Sequence, residues 1–237
     1  MIVGSGQIAT IFKNDANQDK YKDVCIFASG VANSNCTDPN AFLREEKLLL
    51  ISLSECQNKK FVYFSSCALS ATEYPKNDYY NHKFKMEQLI KNNAENFLIC
   101  RVPQLFGDLK KHGTLINFIY NSIVNNEEFN VYSDAYRYVI DIDDVKRFVD
   151  AYLNDHKEPT VIDLGNPFRY RVLDLVKTFE DVTGIKAKYK LIEKSDSYIL
   201  QFEEIKNFVK TKKINTVFGE DYFLKKISLR INDSRII

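Results

Sequence analysis

The first half of the chain alternates short apolar runs with longer stretches of helical spacing. Ile2-Val3 starts an apolar strand, a glycine turn follows, and Gln7 to Lys13 reads as helix. Val24-Cys25-Ile26-Phe27-Ala28 is a continuous apolar run with β-branched and aromatic members. Such runs mark strands buried on both faces of a parallel sheet. Phe61-Val62-Tyr63-Phe64 and Phe97-Leu98-Ile99-Cys100 repeat the pattern. Asn40 to Cys56 and Lys83 to Asn92 read as the intervening helices, the latter with Met86, Leu89 and Ile90 at i, i+3 and i+4. This alternation predicts an α/β fold with a mostly parallel sheet flanked by helices.

The second half is less regular. Thr114 to Asn125 reads as helix and Tyr138-Val139-Ile140 as strand. Asp143 is placed to cap a helix whose apolar face is Val145, Phe148, Val149 and Tyr152. Val161 to Leu164 is a strand ending at Gly165; Leu175, Val176, Phe179 and Val182 mark a helix that Gly184 would end. Ala187 to Ile192 reads as a short strand. The expected organisation is a core over residues 1–112 that continues in 129–166. A smaller lobe comprises 113–128 and 167–237.

Composition narrows the function classes. Hydrophobic residues make up 45% of 237 residues, enough for a packed core. The formal net charge of +1 gives no reason to expect nucleic acid, and Lys210, Lys212 and Lys213 read as solvated surface. No apolar run approaches the ~20 residues of a membrane span. Met1-Ile2-Val3-Gly4 lacks the basic leader of a secretory signal. The five cysteines (25, 36, 56, 67 and 100) are odd in number and without metal-ligand spacing, so reduced thiols in a cytoplasmic protein are expected. With only His82, His112 and His156, no metal site is expected.

Gly4-Ser5-Gly6-Gln7-Ile8-Ala9 matches G-x-G-x-x-A between a strand and a helix. The first glycine permits the tight turn, the second lets a pyrophosphate approach the backbone, and Ala9 permits close packing. The helix start offers free N–H groups to phosphates. The fingerprint normally continues to a second strand with a ribose-binding acid ~20 residues on. Here Asn14 to Lys20 is polar and turn-like, and the chain enters the strand at Val24 directly. Part of the usual adenosine pocket is therefore expected to be missing.

Tyr79 and Lys83 are four apart on a predicted helix, so they share a face. A nearby ammonium favours the phenolate of a tyrosine whose ordinary pKa is ~10. Ser65-Ser66 ends the strand from Phe61, at the sheet edge where ligands bind in open parallel sheets.

In this order the pieces resemble the extended short-chain dehydrogenase/reductases, the NAD-dependent epimerase/dehydratase group acting on nucleotide sugars. The matching pieces are the glycine turn; Ala28-Ser29-Gly30; Phe61 to Ser66; Tyr79 with Lys83 and Glu87; Arg101-Val102-Pro103-Gln104-Leu105-Phe106-Gly107; Arg137 leading to Ile142-Asp143-Asp144-Val145; and Ile162 to Asn166. The resemblance implies a Rossmann-like sheet with a small C-terminal substrate lobe, and NAD or NADP as cofactor. It implies Tyr79 as general acid/base, Lys83 lowering its pKa and holding the nicotinamide ribose, and Ser66, or Ser65 one register away, binding the reacting oxygen. Gly4, Gly6, Gln7, Ile8, Ala28, Ser29, Gly30, Lys83 and Pro103 would line the cofactor cleft. Gln104 and Arg137 would hold the diphosphate of a nucleotide-sugar substrate, as Arg is suited to do. A 4-ketoreductase or 4-epimerase of surface-polysaccharide sugar biosynthesis is implied, with a homodimer as a further expectation.

The departures are specific. Cys67-Ala68 stands where sugar dehydratases carry an acidic pair, so 4,6-dehydration is not expected. Cys67 sits near the position of a cysteine that works in GDP-fucose synthases, and otherwise reads as a small buried side chain. His82 reads as surface, and Asp143 and Asp144 as a helix cap. The shortened cofactor region also admits a binding or regulatory module that keeps the fold without redox chemistry.

Overall fold

The computed structural model describes every residue except 110–112, 156–157, 213 and 236–237, and the side chains of all but these and 155, 212 and 233–235. His112, His156, Lys213 and the expected boundary at residue 112 lie outside the described residues. In chain order the elements are β1 (Ile2–Val3), α1 (Gln7–Lys13), β2 (Val24–Phe27), α2 (Pro39–Glu55), β3 (Lys60–Ser66), α3 (Asp78–Asn93) and β4 (Phe97–Val102). There follow β5 (Gln104–Phe106), α4 (Leu115–Val124), β6 (Glu128–Arg137), β7 (Val139–Asp141), α5 (Ile142–Asp155) and β8 (Thr160–Asp163). The chain closes with β9 (Tyr170–Arg171), α6 (Val172–Thr183), β10 (Lys188–Asp196), α7 (Glu203–Lys212) and α8 (Tyr222–Arg235).

The chain forms two compact units, Met1–Val102 with Ile142–Leu164, and Pro103–Asp141 with Gly165–Ile237. The segments 103–109, 129–141 and 165–166, expected in the core, belong to the second unit. There β6 pairs with β10 and β9, and β7 pairs with β5.

In the first unit a parallel sheet of the described residues runs β1-β2-β3-β4-β8. The strands form because their residues are apolar on both faces: all of Val24–Phe27 and Phe61–Ser65 are buried. Local signals place the helices. The Asp38 carboxylate accepts from the Asn40 amide at 2.9 Å with Pro39 at the first helical position, and Asn77 accepts from the Tyr80 amide at 3.1 Å.

Two features position the site. First, β1 is the edge strand, so the sheet ends where a doubly wound sheet would continue to its adenosine-binding strands. Second, α1 and α2 lie on opposite faces. Phe12 of α1 packs against Phe64 of β3 (ring centroids 6.2 Å), whereas Glu45 of α2 accepts a hydrogen bond from the neighbouring, oppositely directed Tyr63. Strand order nevertheless advances in one direction, so the β1–α1–β2 and β2–α2–β3 crossovers have opposite hands. The α3 crossover shares the α2 face through Met86 and Ile90, so β1–α1–β2 has the opposite hand to the β2–α2–β3 and β3–α3–β4 crossovers. Thus α1 lies on the face it would occupy if it led to a strand beyond β1, and the chain doubles back instead. The turn Gln18–Tyr21 makes the reversal, anchored by Tyr21 OH on Asp150 at 2.7 Å and by Lys146 on Asp15.

In the second unit β10 runs parallel to β6, and β9 antiparallel to it. Helices α4, α6 and α8 pack through Ile116, Ile119, Phe179, Phe223 and Ile227. As expected, Gly184 ends α6 in the left-handed region (φ 74°), its amide bonding the Glu180 carbonyl at 2.8 Å. Asp143 does not cap α5: the helix begins at Ile142, so Asp143 and Asp144 occupy its first turn, where carboxylates favour the helix dipole.

Candidate functional site

The buried face of α3 carries Tyr79, His82, Lys83, Met86, Glu87 and Ile90, at i, i+3, i+4, i+7, i+8 and i+11. Tyr79 and Lys83 therefore share a face as their spacing predicts. His82 shares it too: it is 7% exposed, stacked on Phe42 with centroids 4.6 Å apart. It is not a surface residue, because position i+3 from Tyr79 lies on the same stripe.

Lys83 points into a buried cluster that includes residues the sequence reading missed. Its Nζ donates to Glu45 Oε1 at 3.0 Å and to Tyr63 OH at 3.1 Å, and Tyr63 OH donates to the same carboxylate oxygen at 2.7 Å. The other oxygen, Oε2, takes the Val31 amide at 2.6 Å and pairs with His82 Nε2 at 3.0 Å. Glu45 is fully buried. Burial pushes its carboxyl up, but Lys83, His82, the Val31 amide and Tyr63 outweigh burial and hold it down at about 2. Glu45 shares the buried face of α2 with Leu49, Ser52 and Leu53, so a charge on an otherwise inward stripe was the available signal.

The expectation that Lys83 lowers the Tyr79 pKa is not met in this arrangement. Lys83 Nζ lies 5.8 Å from the Tyr79 ring centroid, and its charge is answered by Glu45. Burial, then Tyr80, Glu45 and Cys67, push the Tyr79 phenol upward.

At the end of β3 the two serines differ. Ser65 lies on the strand face of Phe61 and Tyr63, the α2–α3 face, and is buried, its Oγ without a hydrogen-bond partner. Ser66 falls on the other side of the alternation and is partly exposed. An unsatisfied buried hydroxyl costs free energy unless a ligand or water answers it. Cys67 follows in a 3-10 turn and is fully buried. Behind the site Arg101 grips buried Glu87 in two bonds (2.9 and 2.7 Å) and Ser70 Oγ, which donates to Asp163.

The glycine turn forms as expected. Gly4 (φ 121°) packs so closely on Ala28 that a Cβ would overlap its carbonyl, whereas a Cβ on Gly6, the residue preceding α1, would meet nothing within 4 Å. Gln7 and Ile8 open α1, half-buried, and Ala28, Ser29 and Gly30 follow β2, also half-buried. Gly30 covers Lys83: a Cβ there would lie 2.5 Å from Nζ.

A dinucleotide fits these residues unevenly. The open turn at Gly6 suits a pyrophosphate. Two of the three Lys83 N–H donors are committed to Glu45 and Tyr63, and the sheet ends where adenosine would rest.

Pro103, Gln104 and Arg137 belong to the second unit. Pro103 packs against Gly165, where a Cβ would come within 2.9 Å of its ring, and the Gln104 amide bonds the Tyr138 carbonyl at 3.1 Å. The Arg137 guanidinium pairs with Asp196 Oδ2 at 2.5 Å and donates to the Asp196 and Tyr136 carbonyls. Among the described residues no cluster of His, Cys, Asp and Glu is placed to hold a metal. Among the described residues no helix is long and apolar enough to cross a membrane.

No protein-family model and no curated protein matches the chain. Solved structures do. A dTDP-4-dehydrorhamnose reductase from Clostridium acetobutylicum is similar at TM-score 0.75 and 14% identity, over 98% of this chain and 97% of that one. The Bacillus anthracis reductase of that name, in complex with NADP, is similar at TM-score 0.73 and 12% identity, over 96% of both. A UDP-glucuronic acid 4-epimerase from Bacillus cereus, in complex with UDP-glucuronic acid and NAD, is similar at TM-score 0.69 and 15% identity, over 94% of this chain and 80% of that one. The chain thus has the Rossmann-type α/β fold of these structures, two of which hold NADP or NAD.

Proposed function

We propose that this chain is an NAD(P)-dependent enzyme that reduces or epimerises a nucleotide-linked sugar at a keto or hydroxyl carbon. The observation that carries the reading is the convergence of Tyr79 and Lys83 on one buried face of α3, with the unpartnered hydroxyl of Ser65 on the strand face that packs there. Tyr79 transfers a proton to or from the sugar oxygen. Ser66 or Ser65 hydrogen-bonds that oxygen, and the buried, unpartnered Oγ of Ser65 on this face supports Ser65. The dinucleotide, when bound, supplies or accepts the hydride. Its phosphates rest on the turn at Gly4 and Gly6, beside Gln7 and Ile8, with Ala28, Ser29, Gly30 and Pro103 lining the cleft. Gln104 and Arg137 hold the diphosphate of the sugar nucleotide, Arg137 by releasing Asp196. A reducing, cytoplasmic setting is part of the proposal. A role in surface-polysaccharide sugar synthesis and a homodimeric assembly complete the proposal.

A second reading is a binding module without redox chemistry. The sheet edge at β1 and the hold of Glu45 on Lys83 favour it. Fluorescence titration with NADH and NADPH separates the two. Saturable binding of either cofactor supports the enzyme; binding of a nucleotide sugar with neither cofactor supports the module.

A further inference from the structure

Glu45 is not among the residues that the dehydrogenase reading assigns, yet it organises the centre of the site. Its carboxylate is fully buried and takes four donors: Tyr63 OH, Lys83 Nζ, the Val31 amide and, in its protonated tautomer, His82 Nε2. These come from β3, α3 and the loop after β2, so one carboxylate ties three parts of the unit to α2. Two of the three N–H donors of Lys83 are committed inside this cluster, to Glu45 and to Tyr63. The backbone of Gly30 passes close by, since a Cβ there would lie 2.5 Å from Nζ.

We propose that Glu45 is a positioning residue that competes with Tyr79 for the charge of Lys83 and holds the pair in a resting state. The proposal rests on the reading of Tyr79 and Lys83 as the acid/base pair. While Glu45 is ionised, the ammonium neutralises a carboxylate and leaves the phenol, and any incoming ribose, without its help. Removing that negative charge hands the ammonium to Tyr79. The groups facing Tyr79 are Tyr80 on the same helix (ring centroids 5.2 Å), Lys83, Glu45 from α2, Tyr63 from β3 and Cys67 from the turn after β3. Of the charged ones, Glu45 opposes the phenolate and Lys83 favours it. Burial and Glu45 act on Tyr79 in the same direction, upward.

The test needs no substrate. Tyrosine labelled with 13C at Cζ reports ionisation of each phenol by NMR, and the Tyr79 signal is identified by its loss in Tyr79→Phe. Wild-type Tyr79 is expected to stay neutral to at least pH ~10, the ordinary phenol value. Glu45→Gln is expected to lower its ionisation by at least about one pH unit. The charge-conserving Glu45→Asp should titrate like wild type, although it disturbs packing at least as much. In the Glu45→Gln background, Lys83→Met should abolish the downward shift. Parallel titrations should show NADH or NADPH binding about tenfold more tightly to Glu45→Gln. A Tyr79 that ionises no earlier in Glu45→Gln than in wild type overturns the proposal. So does a wild-type Tyr79 that ionises below pH ~10, which requires no variant to fold. If neither cofactor binds any variant, the dehydrogenase reading fails while the Tyr79 titration still decides the role of Glu45.

Discussion

Gly30 lies directly over the ammonium of Lys83: a Cβ built on Gly30 would stand 2.5 Å from Nζ and 2.9 Å from Glu45 Oε1. The glycine is required for room. A lysine tip can usually swing aside, but this one is held at both Glu45 and Tyr63. Gly30→Ala should therefore loosen the cluster and destabilise the protein by about 1–3 kcal/mol, the usual cost of overpacking. Urea unfolding checks this; an unchanged midpoint would mean that Lys83 moves freely.

The glycine turn separates two requirements that its motif merges. Gly4 is needed by the backbone, with φ 121° and the Ala28 carbonyl in the way of any side chain, so Gly4→Ala should lower the melting temperature markedly. Gly6 has open space around it. Gly6→Val should keep the wild-type melting temperature and weaken NADH or NADPH binding by tenfold or more. Unaltered dissociation constants for both cofactors would remove the turn from the binding site.

Acid should find Glu45. Its folded value, about 2, is below the ~4.3 of an exposed carboxyl. Its contribution is therefore present above pH ~4.3 and is lost as the pH falls towards 2. That contribution amounts to at most ~3 kcal/mol at neutral pH. The stability difference between wild type and Glu45→Gln should be largest at pH 5–7 and shrink towards pH 2. A difference independent of pH, measured by urea unfolding, would show that the carboxyl is not held ionised by its partners.

Arg137 and Asp196 offer a paired test. If Arg137 leaves Asp196 for a diphosphate, Arg137→Leu should raise the KM for a nucleotide sugar while cofactor affinity holds. Asp196→Asn, by freeing the guanidinium, should lower it. Variants that both reduce stability and leave KM unmoved would make the pair a structural bridge between β6 and β10.

Much of the first unit was legible because its strands are uniformly apolar and its helices carry caps and stripes. The missing adenosine strands were legible too, from the short span between Lys13 and Val24, and the structure shows the consequence in β1 at the sheet edge. Beyond reach was what that deletion does to crossover hand, since sequence does not say on which face α1 lies. In the second unit β6 went unread although Phe129, Val131 and Ala135 alternate inward, because exposed polar residues surround them. The spacing of Phe223, Ile227 and Ile231 likewise marks α8. Within the candidate site, the shared face of Tyr79 and Lys83 was legible from their spacing. His82 lies at i+3 on the same stripe and is buried, and which of Ser65 and Ser66 faces α3 follows only from the alternation of β3. Glu45 left one local signal, its place on the inward stripe of α2, but its partners come from β3, α3 and a loop, contacts that no local pattern announces.

The proposal that Tyr79 moves the proton is tested most directly by Tyr79→Phe, which keeps the ring and removes the hydroxyl. Turnover should be followed with a panel of nucleotide-4-ketosugars and both reduced cofactors, using wild type to find the active pair. With that pair, Tyr79→Phe is predicted to lower kcat by ~10²–10⁴-fold, the usual worth of general acid/base catalysis, with little change in KM. A Tyr79→Phe enzyme that turns over at nearly the wild-type rate would contradict the assignment of Tyr79 as the acid/base.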